Sequence, residues 1–119
     1  MKINIFGSTG IIGSKTLDIL TKYFPSIKIN LLCANNNVNK IIKQSHLFKP
    51  SYIYLNNQKK INILKKNIYH STKILNFNEL CAYLKESRSD YSLLAVSGYK
   101  SLQYFDLIIK NTDSLGLVN

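Results

Sequence analysis

Several residue types that would support common functions are scarce in this chain of 119 residues. Its two cysteines, Cys33 and Cys81, are far apart in apolar surroundings and form no C-x-x-C pattern. No histidine stands at a metal-ligand spacing from either of them. A disulfide framework and a zinc site therefore lack support, and we expect two buried free thiols and no metal ligands in this chain.

Long apolar runs are also missing. No stretch of about 18 or more apolar residues occurs, so we expect no membrane-spanning helix and no membrane partner. The N-terminus lacks the charged, apolar and small-residue segments of a secretion signal, and we expect a cytoplasmic protein. The hydrophobic share of 45% predicts one folded domain over residues 1–119.

Negative charge is scarce, because six acidic residues stand against 16 basic ones and the net charge is +10 at pH 7. Such a surplus raises the question of a nucleic-acid partner. Arginine, which planar recognition of phosphates and bases favours, occurs once, as Arg88, and the lysines are scattered except at 59–60 and 65–66. We expect no nucleic-acid partner, while an acidic partner protein stays open as an alternative.

Strand-like and helix-like patterns alternate along the chain. Pro25 and Pro50 end two of the helical segments. Strands are expected at 2–6, 27–33, 51–55, 72–75, 91–98 and 114–118, and helices at 11–23, 38–48, 56–69, 78–87 and 100–111. The alternation predicts an α/β fold, a Rossmann-like doubly wound parallel sheet flanked by helices.

Helical spacing also predicts which side chains share one face of a helix. The predicted sets are Ile12, Thr16, Ile19, Leu20 and Tyr23 in the first helix, Val38, Ile41, Ile42, Ser45 and Phe48 in the second, and Leu80, Cys81 and Leu84 in the fourth.

Three glycines at even spacing follow the first strand, in the sequence GSTGIIG. Gly7 would let the chain turn sharply out of the strand, and Gly10 would leave room for a pyrophosphate to approach the backbone. Gly13 would let the helix pack closely on the sheet. The alternative is a tight turn without a ligand, but a strand before, a helix after and a second strand about 20 residues on favour dinucleotide binding.

The residues between these glycines offer hydrogen-bond donors. The N–H groups of Gly10, Ile11 and Ile12 would face an anion, helped by the positive end of the helix dipole. Ser8 and Thr9 would add hydroxyl contacts. These residues form the predicted pyrophosphate site.

The end of the second strand bears on which dinucleotide binds. An Asp or Glu there would recognise a free ribose 2′-hydroxyl, but this chain has Asn35, Asn36 and Asn37, with Lys40 and Lys43 in the next helix. The missing carboxylate favours NADPH over NADH. The alternative is an ordinary turn in an asparagine-rich chain.

Parallel strands bring their carboxyl ends to one edge of the sheet. The loops at 7–13, 34–37 and 97–101 should therefore converge there, together with Asn119 at the end of the last strand. No residue is assigned a catalytic role. His46 and His70 have no nucleophile or acid at a suggestive spacing, and the adjacent Tyr99 and Lys100 point about 100° apart on a helix.

Four segments in this order resemble the 1-deoxy-D-xylulose 5-phosphate reductoisomerase family. They are INIFGSTGIIGSKTLDIL (3–20), CANNNV (33–38), AVSGYKSL (95–102) and LGLVN (115–119). The resemblance implies an NADPH-dependent oxidoreductase and isomerase of isoprenoid precursor synthesis by the non-mevalonate pathway. It also implies a Mg²⁺ or Mn²⁺ ion, a small phosphorylated sugar substrate and a homodimer for the full-length protein.

The resemblance also implies individual roles. Thr9, Gly10, Ile11 and Ile12 would contact the pyrophosphate region, residues 35–37 would flank the adenosine ribose and its 2′-phosphate, and Asn119 would lie near the nicotinamide half. Three residues depart from the family pattern. Ile11 replaces a serine, Ser101 replaces a glycine, and Asn36 occupies a position that is often basic.

Length is the largest departure from the family. The metal-binding carboxylates, the substrate site and the C-terminal domain of the family would follow Asn119. We therefore expect a fragment, a decayed gene product or half of a split enzyme that binds NADPH without turnover. A freestanding nucleotide-binding regulatory domain is the alternative function.

Overall fold

The computed structural model describes residues 1–96 and 105–117, where strands and helices alternate. The strands are β1 (Lys2–Phe6), β2 (Lys28–Ala34), β3 (Tyr52–Leu55), β4 (Lys73–Leu75), β5 (Ser89–Leu94) and β6 (Thr112–Leu117). The helices are α1 (Ile11–Tyr23), α2 (Val38–Phe48), α3 (Ile61–Asn67), α4 (Phe77–Glu86) and α5 (Phe105–Asn111), and a 3-10 turn (Gln58–Lys60) precedes α3.

All six strands pair in parallel, in the order β4-β3-β2-β1-β5-β6. The chain builds the sheet outward from β1 to β4, then returns to the other side of β1 with β5 and β6. The strand order therefore reverses between β1 and β5, the place where open α/β sheets bind ligands. The predicted Rossmann-like doubly wound sheet is confirmed.

Helices cover both faces of this sheet. On one face α1, α2 and α3 pack onto the strands through the buried side chains of Leu17, Ile41 and Leu64. On the other face α4 and α5 do so through Leu80 and Ile108. The strands carry mainly apolar side chains on both faces, as expected of a buried parallel sheet, with a few buried polar residues such as Asn4 and Asn30.

The predicted face of α1 is wrong for three of its five residues, whereas Leu20 packs against the core and Thr16 is half-buried. Its buried residues are Gly13 and Leu17, while Ile12, Ile19 and Tyr23 are exposed. Because Gly13 has no side chain, α1 lies directly against the glycine loop, and the row of residues that includes Leu17 turns toward the sheet. In α2 the predicted face is confirmed. Val38, Ile41 and Ser45 are buried, and Ile42 and Phe48 are partly buried.

The structure differs less from the sequence prediction in α4 and in the segment before α3. In α4 the residue that joins Leu80 and Leu84 in the core is Tyr83, whereas Cys81 is only half-buried. The helix predicted over 56–69 is shorter and begins with the 3-10 turn. Within the described ranges, no helix combines the length and apolarity needed to cross a bilayer.

Candidate functional site

The loop between β1 and α1 leaves the strand through a left-handed turn. Gly7 has a φ of +90°, and its N–H and that of Ser8 both donate to the carbonyl oxygen of Cys33, at 2.8 and 3.0 Å. A Cβ on Gly7 would lie 2.4 Å from the carbonyl oxygen of Ala95. Both the backbone angle and the close approach of the chain after β5 therefore require glycine here.

The other two glycines differ in what surrounds them. A Cβ on Gly13 would lie 2.1 Å from the carbonyl oxygen of Gly7, so α1 can pack on the loop only without a side chain at this position. A Cβ on Gly10 would meet only the Gly7 oxygen, at an ordinary 3.5 Å, and the φ of Gly10 is an ordinary −73°. Nothing in the described chain requires glycine at position 10, and the space above it is open to a ligand.

Backbone donors on either side of Gly10 in the sequence are unpaired. Among the described residues, the backbone N–H groups of Thr9, Ile11, Ile12 and Gly13 have no acceptor. The N–H of Gly10 donates to the Gly7 carbonyl at 3.2 Å, so it is not one of the free donors that the sequence predicted. Four free donors in this arrangement suit the oxygens of a phosphate.

The start of α1 carries no charge that would compete with an anion. Gly10 occupies the N-cap without a side-chain hydrogen bond, and the first turn contains no acidic residue. The positive end of the helix dipole is therefore uncompensated by the chain itself. Ile11, at 75% exposed, adds an apolar side chain beside the free donors.

Ser8 differs from the prediction of a ligand-contacting hydroxyl. Its side chain is fully buried, and its hydroxyl has no hydrogen-bond partner among the described residues. Its carbonyl oxygen accepts from Ser14 Oγ at 3.1 Å and from Gln44 Nε2 at 2.8 Å. Ser8 thus fixes the loop to α1 and α2, while Thr9 is the more accessible of the two hydroxyl residues.

Gln44 is a residue of this site that sequence analysis missed. It is buried, and its hydrogen bond joins α2 to the loop 36 positions earlier in the chain. The available signal was a polar residue on the inward face of α2, next to Ile41 and Ser45.

Cys33 contributes its backbone to the site. Its carbonyl oxygen accepts hydrogen bonds from the glycine loop. Its thiol is buried with Tyr54 and Leu31 on the face of the sheet that α4 and α5 cover. Burial raises the pKa of the Cys33 thiol, which therefore stays protonated and unreactive.

The loop after β2 lies beside the glycine loop because β1 and β2 are neighbours. Residues 35–37 are exposed. Asn37 caps α2, with its Oδ1 accepting from the N–H of Lys40 at 3.1 Å. Asn36 Oδ1 accepts from Asn57 Nδ2 at 2.7 Å, and Asn35 Oδ1 from Asn56 Nδ2 at 2.9 Å. The asparagines thus shape the loop as well as presenting polar groups.

Some predicted features fall elsewhere. Asn119 and the loop at 97–101 lie outside the described residues. His46 Nε2 lies 2.8 Å from the carbonyl oxygen of Asn67, away from the glycine loop. In the described part of the chain, no three histidine, cysteine, aspartate or glutamate side chains cluster to hold a metal ion.

The sequence model of 1-deoxy-D-xylulose 5-phosphate reductoisomerase matches residues 3–119 of this chain. The chain belongs to the 1-deoxy-D-xylulose 5-phosphate reductoisomerase family. A reductoisomerase of Pelagibacter ubique (strain HTCC1062) is 35% identical over 122 residues, which cover 99% of this chain and 31% of the relative.

Solved reductoisomerases share the fold. The enzyme from Zymomonas mobilis in complex with NADPH has a TM-score of 0.85 at 21% identity, over 99% of this chain and 32% of that one. A reductoisomerase in complex with NADPH, fosmidomycin and magnesium has a TM-score of 0.72 at 23% identity, over 83% of this chain and 25% of that one. This chain thus spans about a third of the length of the reductoisomerases it matches.

Proposed function

We propose that this chain is the NADPH-binding portion of a 1-deoxy-D-xylulose 5-phosphate reductoisomerase. The observation that carries the proposal is the open space above Gly10 at the uncapped start of α1, where the N–H groups of Thr9, Ile11, Ile12 and Gly13 have no acceptor among the described residues. The space and the donors fit a pyrophosphate. The site lies where the strand order of the sheet reverses.

Each part of the site has its own task in cofactor binding. The N–H groups of Thr9, Ile11, Ile12 and Gly13 bind the pyrophosphate, and Gly7 and Gly13 hold them in place. Residues 35–37 flank the adenosine ribose and its 2′-phosphate. The family resemblance assigns Asn119, which is outside the described residues, to the nicotinamide half. When bound, NADPH supplies the hydride for reduction.

The full reaction requires more than this chain. The family isomerises 1-deoxy-D-xylulose 5-phosphate and reduces the product to 2-C-methyl-D-erythritol 4-phosphate, with a divalent cation polarising the substrate oxygens. In our proposal the ion, the phosphorylated sugar and the dimer contacts belong to the other two thirds of a full-length protein. The 119-residue chain therefore binds NADPH without turnover.

Titration of the purified chain with NADPH and with NADH, followed by nicotinamide fluorescence, tests the proposal. We expect saturable binding of NADPH and weaker binding of NADH. Absence of binding of either dinucleotide up to millimolar concentration would overturn the proposal. Turnover of 1-deoxy-D-xylulose 5-phosphate by the chain alone would overturn the assignment of the chemistry to the rest of the protein.

A further inference from the structure

The loop after β2 is joined to the turn after β3 by a group of hydrogen bonds. The N–H groups of Asn56 and Asn57 donate to the carbonyl oxygens of Ala34 and Asn35, both at 2.9 Å. The side chains of Asn56 and Asn57 donate to the side chains of Asn35 and Asn36. The turn that follows β3 is thereby fixed against the loop that flanks the adenosine ribose.

This junction brings one cation to the loop. Lys60, the last residue of the 3-10 turn, donates from Nζ to the carbonyl oxygen of Asn36 at 3.2 Å. Its side chain is half-buried. An ammonium group has three donors, so two remain for a ligand after the bond to Asn36. Among the described residues, no other lysine or arginine side chain donates to residues 34–37.

The loop supplies no positive charge of its own. Residues 34–37 are an alanine and three asparagines, and Asn36 Oδ1 is already paired with Asn57. Residues 19–78 contain ten lysines and no aspartate or glutamate, and neither ion pair among the described residues involves Lys60. An anion beside Asn36 would therefore meet Lys60 as an unneutralised cation already held in place.

We propose that Lys60 recognises the 2′-phosphate of NADPH and sets the preference of this chain for NADPH over NADH. The proposal rests on the proposed function, because it requires the adenosine ribose to lie at residues 35–37. The bond to Asn36 keeps the ammonium group beside the loop before the cofactor arrives, which lowers the entropy lost on binding. NADH has a hydroxyl in place of the phosphate and gains nothing from the charge.

The test compares Lys60→Gln with Lys59→Gln in the 119-residue chain. Both variants lose one positive charge, but Lys59 is exposed and its side chain has no hydrogen bond to the loop. We expect Lys60→Gln to weaken NADPH binding about ten-fold, as expected for the loss of one charge-assisted hydrogen bond. NADH binding should be unchanged, and Lys59→Gln should bind NADPH like the unmodified chain. Lys60→Arg should retain most of the NADPH affinity.

A second pair of probes isolates the adenosine half of the cofactor. Lys60→Gln should weaken binding of adenosine 2′,5′-bisphosphate and leave binding of AMP unchanged. Equal NADPH affinity of Lys60→Gln and Lys59→Gln would overturn the role of Lys60, as would a loss seen only with Lys40→Gln. If the unmodified chain binds NADPH and NADH equally, the role of Lys60 fails while the proposed function stands. If it binds neither dinucleotide, both the proposed function and the role of Lys60 fail.

Discussion

At the scale of single residues, the three glycines of the loop have different physical reasons to be glycine. The positive φ at position 7 requires glycine, and the close packing of α1 on the loop requires glycine at position 13. Position 10 has neither constraint, and in our proposal its lack of a side chain makes room for the pyrophosphate. Position 10 is therefore where binding and folding can be separated by substitution.

Replacement Gly10→Asp should abolish NADPH binding without unfolding the chain. A carboxylate would fill the space and repel the pyrophosphate, yet aspartate is a favourable N-cap at the positive end of α1. We expect the free energy of unfolding to stay the same or rise by up to about 1 kcal/mol. Denaturant unfolding and fluorescence titration measure the two effects.

The matched variant Gly13→Ala should destabilise the fold. Its Cβ would overlap the Gly7 carbonyl oxygen, so the chain should lose about 1–3 kcal/mol of stability. Unimpaired NADPH binding by Gly10→Asp, or a stable Gly13→Ala chain, would contradict the roles given to these two glycines.

The glycine loop was predictable from sequence because its residues are consecutive and each has a known local task. Gln44 and Lys60 were not, because they reach the site from α2 and from the turn after β3. Their positions depend on how three strands pair, which spacing along the chain does not encode. The burial of Ser8 was missed for the same reason, since Ser14 of α1 and Gln44 of α2 bind its carbonyl oxygen only in the folded chain.

At the scale of elements, a buried polar network joins strands and helices on the face opposite α1. Tyr83 of α4 donates to Asn4 Oδ1 of β1 at 3.0 Å and accepts from Asn30 Nδ2 of β2. Asn4 Nδ2 donates to Ser89 Oγ of β5 and to Asn111 Oδ1 of α5. The network fixes α4 and α5 against the strands that position the candidate site.

Substitution Tyr83→Phe should destabilise the fold. Loss of the hydroxyl leaves buried polar groups of Asn4 and Asn30 without this partner, at a cost of about 1–3 kcal/mol in the free energy of unfolding. The control is Tyr23→Phe, because Tyr23 is 63% exposed and should tolerate the change. Equal stability of the two variants in denaturant unfolding would show that the network contributes nothing.

The order of elements was predictable because apolar runs and helical periodicity mark each one. The inward face of α1 was not, since Ile12, Ile19 and Tyr23 have the right spacing and are exposed in the structure. Contact of Gly13 with Gly7 decides the orientation of α1, and this contact forms only when helix and loop come together. Polar core residues such as Asn4 and Asn30 likewise interrupt the apolar pattern of their strands.

At the scale of the whole molecule, the sheet order brings the glycine loop, the asparagine loop and the turn that carries Lys60 to one edge. These segments are contributed by β1, β2 and β3, which are adjacent in the sheet. In our proposal, the described residues that bind the adenosine and pyrophosphate portions of the cofactor thus lie within the first 60 residues. We expect this chain alone to recognise both portions of NADPH.

Amide chemical-shift mapping of the isotope-labelled chain during NADPH titration shows which residues meet the cofactor. We predict saturable shifts at Thr9, Ile11, Ile12 and residues 35–37, with little change at Lys28 and Tyr52, which begin β2 and β3 at the opposite edge. No shifts with NADPH, or shifts confined to the amino ends of the strands, would show that the glycine and asparagine loops do not bind the cofactor.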